Sequence, residues 1–318
     1  MYNLGSKILA YLEPIDKMVQ GEFPGLITCE IDPSNYCQNN CEWCIYADYI
    51  KSNRIHLGDL AFFVKIMHEL KEQKCKSITF TGGGEPLCNP NISAMITIAA
   101  SFGFELGLIT NGILLNKIFK ELPLFKFIRI SLDAISAADY FDKKGTKFFD
   151  KICENIQYIT DHKLTQVGLS MIYQPGEKGD RAAKLFPGLA NRLGGTYAQI
   201  KPLVNQDSEK VTEKMNEIKK AFITERYLAT DFLPCQIAGL IGQIGADGNY
   251  YYCCIHRGKE KYKIGNLRTE SLSEIIKRRF SFVPDLKDCS SCRYMNYAKE
   301  YSKVKEPKFQ MLRHINFL

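Results

Sequence analysis

The spacing of apolar and polar positions changes repeatedly along the chain. Six short stretches rich in β-branched and aromatic residues read as strands: 25–32 (GLITCEID), 77–82 (SITFTG), 104–110 (FELGLIT), 127–134 (FIRISLDA), 166–173 (QVGLSMIY) and 197–204 (YAQIKPLV). Between them the period lengthens toward that of a helix. In 57–73 the apolar residues Leu60, Phe63, Val64, Met67 and Leu70 fall on one helical face. Residues 91–103 follow a proline and end at glycine, as a helix does. The stretches KFFDKICENIQYITDH and KGDRAAKLFPGLANRLGG predict two further helices, the second interrupted at Pro187. Strand–helix alternation of this kind implies right-handed βαβ units and a parallel α/β sheet. Six strands by residue 204 are too few for a complete (β/α) barrel, so a partial six-stranded barrel or a doubly wound sheet fits. A polar helix is expected over 207–226. Beyond it Asp247-Gly248 signals a turn and a tyrosine run follows, as in a β-hairpin. The predicted division is an N-terminal extension (1–24), a barrel domain (25–230), and a small C-terminal domain with its tail (231–318).

Composition narrows the setting. The 318 residues are 45% apolar and 24% charged, enough for a large core. No apolar run approaches the ~20 residues of a membrane span, and the first residues lack the apolar stretch of a signal peptide. A soluble, cytoplasmic protein is expected. The formal charge of +7 suits an anionic substrate or acidic partners, and equally lysines scattered on solvated faces. There is no basic stripe interleaved with aromatics, so nucleic acid is not an expected partner. Twelve cysteines in a reducing compartment point to metal ligation rather than disulfides. Cys37, Cys41 and Cys44 cluster early; Cys235, Cys253, Cys254, Cys289 and Cys292 gather late. Cys29, Cys75, Cys88 and Cys153 are isolated and read as small buried hydrophobes.

The early cysteines follow the first strand, at the carboxyl end where sheets of this class place their chemistry. Three thiolates can hold three irons of a four-iron cubane and leave one iron open, as a catalytic metal requires. The spacing Cys37-x3-Cys41-x2-Cys44, with Trp43 before the last cysteine, resembles the signature of the radical S-adenosylmethionine (SAM) superfamily. That resemblance implies a [4Fe–4S] cluster whose open iron chelates SAM, and reductive cleavage of SAM to a 5′-deoxyadenosyl radical that takes hydrogen from a substrate. It also implies an electron donor such as flavodoxin or ferredoxin. TGGGEP (81–86) resembles the family's SAM-binding turn: Gly82, Gly83 and Gly84 allow close backbone approach and positive φ, and Glu85, before Pro86, meets the methionyl ammonium. Thr110 and Asn111 in TNG, and Ser131 and Asp133 in SLD, resemble positions near the methionyl and ribose groups. Ser170 is a further candidate cofactor contact. By strand parity Arg129 shares a face with Ser131 and Asp133. Its buried charge calls for an anion, either a substrate phosphate or carboxylate, or Glu30 or Asp32 across the barrel. Arg129, Glu30 and Lys201 are the candidate catalytic residues.

Cys235, Cys253, Cys289 and Cys292 can fully ligate a second [4Fe–4S] cluster, and by spacing alone a zinc ion equally well. Together with IGNL and SLSEI the pattern resembles the auxiliary-cluster domains called SPASM or, with one cluster, twitch. The one-cluster form is the better match, with Cys254 a neighbour that could replace Cys253 and His256 a non-ligand. A closed cluster exchanges single electrons. Hydrogen abstraction followed by loss of a proton and an electron would turn an alcohol into a ketone. The expected function is therefore oxidation of a hydroxyl on a sugar, aminocyclitol or nucleoside, a pattern similar to that of 2-deoxy-scyllo-inosamine dehydrogenases. The alternatives are maturation of a ribosomal peptide and coupling or epimerisation of a nucleoside or sugar. The short stretch before the first strand argues against a leader-binding domain there.

Overall fold

The computed structural model describes residues 4–52, 54–204, 221–223, 237–288, 292 and 294–305. Six parallel strands carry the frame: β1 (Thr28–Ile31), β2 (Ser77–Phe80), β3 (Glu105–Thr110), β4 (Phe125–Ser131), β5 (Val167–Tyr173) and β6 (Tyr197–Pro202). They lie side by side in chain order. A doubly wound sheet would reverse its strand order at a switch point, so the partial barrel is the correct alternative. Every predicted strand is present, with its ends within about three residues of the expected ones.

The strand pattern explains the layering. On β2 to β5, Ile78, Phe80, Leu106, Leu108, Ile128, Ile130, Leu169 and Met171 are almost wholly buried and belong to the main apolar core. The alternate residues, which face the barrel interior, include Thr79, Gly107, Arg129, Ser131, Gly168 and Ser170 together with the larger Ile109, Phe127 and Ile172. Helix α1 (Leu12–Val19) packs in a small second core with residues of the C-terminal unit, and α2 (Ala47–Ser52) follows the cysteine loop at the barrel mouth. The outer face is covered by α3 (Leu60–Glu72), α4 (Ile92–Ser101), α5 (Ala137–Lys144), α6 (Phe149–Asp161) and α7 (Glu177–Arg192). The Asp59 side chain caps α3 by accepting from Phe62 N–H at 2.8 Å.

Two expectations are corrected. Helix α7 runs straight through Pro187. A proline removes one helical hydrogen bond, but Ala182, Ala183, Phe186, Pro187, Leu189 and Ala190 are all buried, and that packing carries the helix across the defect. The helix expected over 207–226 falls mostly outside the described residues. Within it, Phe222–Ile223 forms a short strand β7 paired in parallel with β6.

The C-terminal unit joins the other edge of the same sheet. Strand β8 (Ile241–Ile244) pairs in parallel with β1, setting Gln243 opposite Glu30. It turns at Asp247-Gly248, where Gly248 has φ +80°, into β9 (Asn249–Tyr251), which pairs with β10 (Lys263–Asn266). The predicted hairpin is therefore present, and it extends the barrel wall. Helix α8 (Leu272–Ser281) begins with a capping box between Ser271 and Glu274, and α9 (Met295–Lys305) ends the described chain. Among the described residues no helix is long and apolar enough to cross a membrane.

Candidate active site

The cysteine loop leaves β1 at its carboxyl end and crosses the mouth of the barrel. Cys37, Cys41 and Cys44 line a cavity of about 240 Å³. Facing it are Gly82 to Glu85 after β2, Thr110 and Asn111 at the end of β3, Ser131 and Asp133 of β4 and its exit, Lys201 of β6, and Trp43. Four sequence motifs separated by up to about a hundred residues thus meet at one hollow. Pro86 and Ser170 do not line it. Pro86 is buried in a short turn, and Ser170 is wholly buried within the barrel wall.

The glycine run supplies close approach and not positive φ: Gly82, Gly83 and Gly84 all have ordinary φ. A Cβ on Gly84 would fall 2.3 Å from the carbonyl carbon of Asn35 and 2.7 Å from the carbonyl oxygen of Tyr36. The turn therefore lies flush against the start of the cysteine loop, and Glu85 N–H donates to the Tyr36 carbonyl at 2.7 Å. The Glu85 carboxylate, expected at a methionyl ammonium, is largely engaged by the protein. It accepts from Thr110 Oγ1 (2.5 Å), Asn111 N (2.7 Å) and Leu87 N (3.2 Å). Burial pushes its carboxyl up to about 7, against the pull of those donors. Asn111 in turn places Nδ2 3.8 Å from Cys37 Sγ. Burial, helped by the Glu85 charge, pushes the Cys37 thiol up to about 12. A bound cation would have to displace that proton, as iron does.

Asp133 has φ +59°, a left-handed conformation that costs a non-glycine residue about 1 kcal/mol or more. Its Oδ1 accepts from Ile172 N at 2.6 Å, and its other oxygen pairs with the ammonium of Lys144. Both residues are at most 3% exposed. Burial alone would raise the Asp133 carboxyl, but the Lys144 and Lys201 charges outweigh it and hold it below its usual value. Lys144 also donates toward Cys41 and lies 5.9 Å from the centroid of the Trp43 ring. It lines the cavity and was not anticipated. The signals were local: Ser136 caps α5, and Gly145, at φ +69°, ends it one residue after Lys144.

Of the candidate catalytic residues, Lys201 reaches the cavity. Arg129 lies on the barrel side of β4, where its charge acts on the Tyr197 phenol. Glu30 accepts from Arg257 Nη2 at 2.6 Å, and Asp32 lies 3.1 Å from Arg257 Nε. Arg257 was likewise not anticipated. It stands 227 residues from Glu30, a separation over which no local pattern operates.

In the C-terminal unit, Cys253 Sγ and Cys254 Sγ are 4.0 Å apart. Cys254 is buried in a small core with Ile8, Met18, Leu240 and Tyr294, and Cys253 and Cys292 pack against the same core. Cys235 and Cys289 lie outside the described residues. His256 is stacked on Tyr262 with ring centroids 3.7 Å apart, and burial holds its imidazole down to about 4. Among the described residues no three His, Cys, Asp or Glu side chains gather closely enough for a single metal ion. A cubane is held differently, each thiolate taking its own iron. Three cysteines along one edge of a cavity, with hydroxyls, an amide and a buried ammonium around it, suit a cluster with one open iron and a zwitterionic amino-acid cofactor beside it.

Residues 31–186 match the profile of the Radical SAM superfamily, and residues 235–293 that of SPASM, an iron–sulfur cluster-binding domain. The tungsten-containing aldehyde ferredoxin oxidoreductase cofactor-modifying protein of Pyrococcus furiosus is 23% identical, over 82% of this chain and 86% of that one. Streptococcus suis SuiB bound to its precursor peptide SuiA superposes with a TM-score of 0.66 at 14% identity, covering 95% of this chain and 78% of that one. Against SuiB bound to S-adenosylmethionine the TM-score is 0.64 at 13% identity, over 79% of this chain and 65% of that one. The structure of anSMEcpe with bound AdoMet and a Kp18Cys peptide gives 0.62 at 13% identity, covering 89% and 98%. At these identities the structural likeness shows the shared fold.

Proposed function

Because this chain belongs to the radical SAM superfamily and carries a SPASM-type iron–sulfur cluster-binding domain, we propose that it oxidises a hydroxyl-bearing carbon of a small polar molecule held inside its barrel. Cys37, Cys41 and Cys44 would hold the catalytic [4Fe–4S] cluster. Cys235, Cys253, Cys289 and Cys292 would hold one auxiliary cluster. When bound, the catalytic cluster and SAM supply a radical able to remove a hydrogen atom, and the auxiliary cluster supplies an acceptor for one electron. A flavodoxin- or ferredoxin-type donor would deliver the priming electron. Lys144 has three N–H donors; Asp133 and Cys41 engage two, and the third would meet the SAM carboxylate.

The inner wall of the barrel carries the substrate class. Ser170 and Gln243 are 0% and 1% exposed, and among the described residues neither the Ser170 hydroxyl nor the Gln243 amide has a hydrogen-bond partner. Gln243 is the register partner of Glu30 and shares its face. Each such buried group costs ~1–3 kcal/mol unless a partner arrives. A sugar, aminocyclitol or nucleoside supplies partners and an aliphatic group does not. Arg129 and Lys201, on the same wall, would hold a phosphate or carboxylate of the substrate. Glu30, bound to Arg257, has a structural role in this reading. The net reaction removes one hydrogen atom, one proton and one electron from the substrate, leaving a carbonyl.

The name of the Pyrococcus relative supports a second reading, in which the small polar substrate is a cofactor precursor. One experiment tests both. Anaerobically reconstituted protein, SAM and dithionite are incubated with polyols, nucleosides and cofactor precursors deuterated at candidate carbons. Deuterium transferred to 5′-deoxyadenosine, with a carbonyl product, supports oxidation. Transfer from a peptide and from no small molecule would overturn it.

A further inference from the structure

Arg257 belongs to the C-terminal unit, three residues beyond Cys254, yet its guanidinium reaches into the barrel. Nη2 donates to Glu30 at 2.6 Å, and Nε lies 3.1 Å from Asp32 Oδ1, both acceptors on or just after β1. Nη1 donates to the Tyr46 hydroxyl at 2.9 Å. That hydroxyl donates onward to the Cys254 carbonyl at 2.8 Å. Asp32 uses its second oxygen to accept from Gly83 N–H at 3.1 Å. Arg257 is 5% exposed and Asp32 is 0% exposed. One planar side chain thus joins the end of β1, the glycine turn, the cysteine loop two residues past Cys44, and the backbone between the later cysteines.

We propose that Arg257 is a positioning residue through which the auxiliary-cluster segment sets the geometry of the SAM cavity. The cavity is lined by Gly83 and Tyr46, and Arg257 holds the first through Asp32 and the second directly. Neither the glycine turn nor the cysteine loop is regular secondary structure, so their relative placement depends on such cross-links. A guanidinium can do this because its donors are fixed in one plane; an ammonium carries the same charge on a single point and cannot reach all the acceptors at once. SAM affinity is therefore governed in part by a residue of the other domain.

The inference rests on the reading that the cavity binds SAM, and the test separates the two. Anaerobically reconstituted holoenzyme is titrated with SAM by calorimetry, with iron content and thermal midpoint recorded for every variant. Arg257→Lys keeps the buried charge and so spares the fold. It is expected to raise the SAM Kd about tenfold, the scale of one lost charged hydrogen bond, with clusters retained. Arg279→Lys is the matched control. Arg279 is 4% exposed, donates to the Tyr252 carbonyl at 3.1 Å and stacks 3.6 Å from the Tyr252 ring centroid, contacts made inside the C-terminal unit. Its SAM Kd should stay within about twofold of the parent. An unchanged Kd in Arg257→Lys, or an equal rise in Arg279→Lys, overturns the proposal. Should Arg257→Lys lose its clusters, Glu30→Gln decides, because Glu30 does not line the cavity: a higher Kd with clusters intact supports the proposal, and an unchanged Kd refutes it. A parent enzyme that binds no SAM defeats the functional reading alone. Arg257 is then judged by the EPR signal of the reduced catalytic cluster, which Arg257→Lys should alter through Tyr46 and Arg279→Lys should not; an unaltered signal in Arg257→Lys overturns the proposal in that case too.

Discussion

Replacing Lys144 by methionine strips the counter-charge from a carboxylate that is 2% exposed. Asp133 keeps the Ile172 N–H bond at 2.6 Å and the more distant charge of Lys201. Removing one partner of a buried pair costs ~3–5 kcal/mol, because the other charge is left uncompensated. Methionine fills a similar volume, so little of that loss comes from a cavity. For a chain of 318 residues the loss converts to a fall in thermal midpoint of roughly 4–8 °C. The double variant Asp133→Asn/Lys144→Met carries no charge at these two buried positions. Asparagine still accepts from Ile172 N and tolerates the left-handed backbone at position 133. The double variant should therefore recover to within ~1–2 kcal/mol of the parent. SAM binding should fail to recover, since the ammonium is absent from both variants. The assay is anaerobic thermal unfolding by circular dichroism, paired with SAM titration. A single variant that melts within about two degrees of the parent, or a double variant no more stable than the single, would refute the idea that Lys144 neutralises Asp133.

Four further outcomes follow from the same geometry. Cys37, Cys41 and Cys44 replaced together by alanine should abolish SAM cleavage while about four irons per chain remain bound; persistent 5′-deoxyadenosine formation would reassign the catalytic cluster. Anaerobically purified protein should contain iron and sulfide in both sites, and one zinc per chain would show the second site to be structural zinc. Cys253→Ala and Cys254→Ala, compared by iron content, should differ, with loss in the first; equal retention in both would remove the pair from the ligand set. Gly84→Ala should weaken SAM binding and lower stability by ~2–3 kcal/mol, because the new methyl would meet backbone atoms of Asn35 and Tyr36 that no rotamer change can move; a normal melt and normal SAM affinity would show that the turn can slide.

The strands were legible because each carries its signal within a few residues. Ile78 and Phe80, or Ile128 and Ile130, alternate with polar neighbours, and the buried face follows from period alone. The four strand-end motifs were legible for a related reason: strands in sequential order bring their carboxyl ends to one rim, so motifs at consecutive ends must meet. What escaped depends on pairings the sequence does not order. β8 could join the sheet at either edge, and its placement beside β1 brings Gln243 to Glu30 and Arg257 to Asp32. For Arg129 the sequence left two anions open, a substrate group or Glu30 and Asp32 across the barrel; it did not announce that Arg257 of the C-terminal unit also reaches those two carboxylates. Pro187 misled because local propensity was set against helix packing, and packing prevailed.

Lys144 and Arg257, which escaped, share a role with Glu85 and Asp133, which did not. Lys144, Arg257, Glu85 and Asp133 are buried and charged or ionisable; the two carboxylates bond backbone N–H groups, and the two cations bond carboxylates and neighbouring side chains. The turns at the barrel mouth are held in register by these carboxylates and cations, since an apolar core cannot orient individual N–H groups. Glu85 fixes the end of β3 to the glycine turn, Asp133 fixes the exit of β4 to β5, and Asp32 fixes β1 to Gly83. Each carboxylate satisfies at least one neighbouring N–H group before any ligand arrives. A site built this way reaches its binding geometry as the chain folds, so little ordering cost is left for the moment SAM and substrate enter. The Ser170 and Gln243 side chains of the same sheet have no hydrogen-bond partner among the described residues; in the proposed reading, that is the part of the site a substrate would complete.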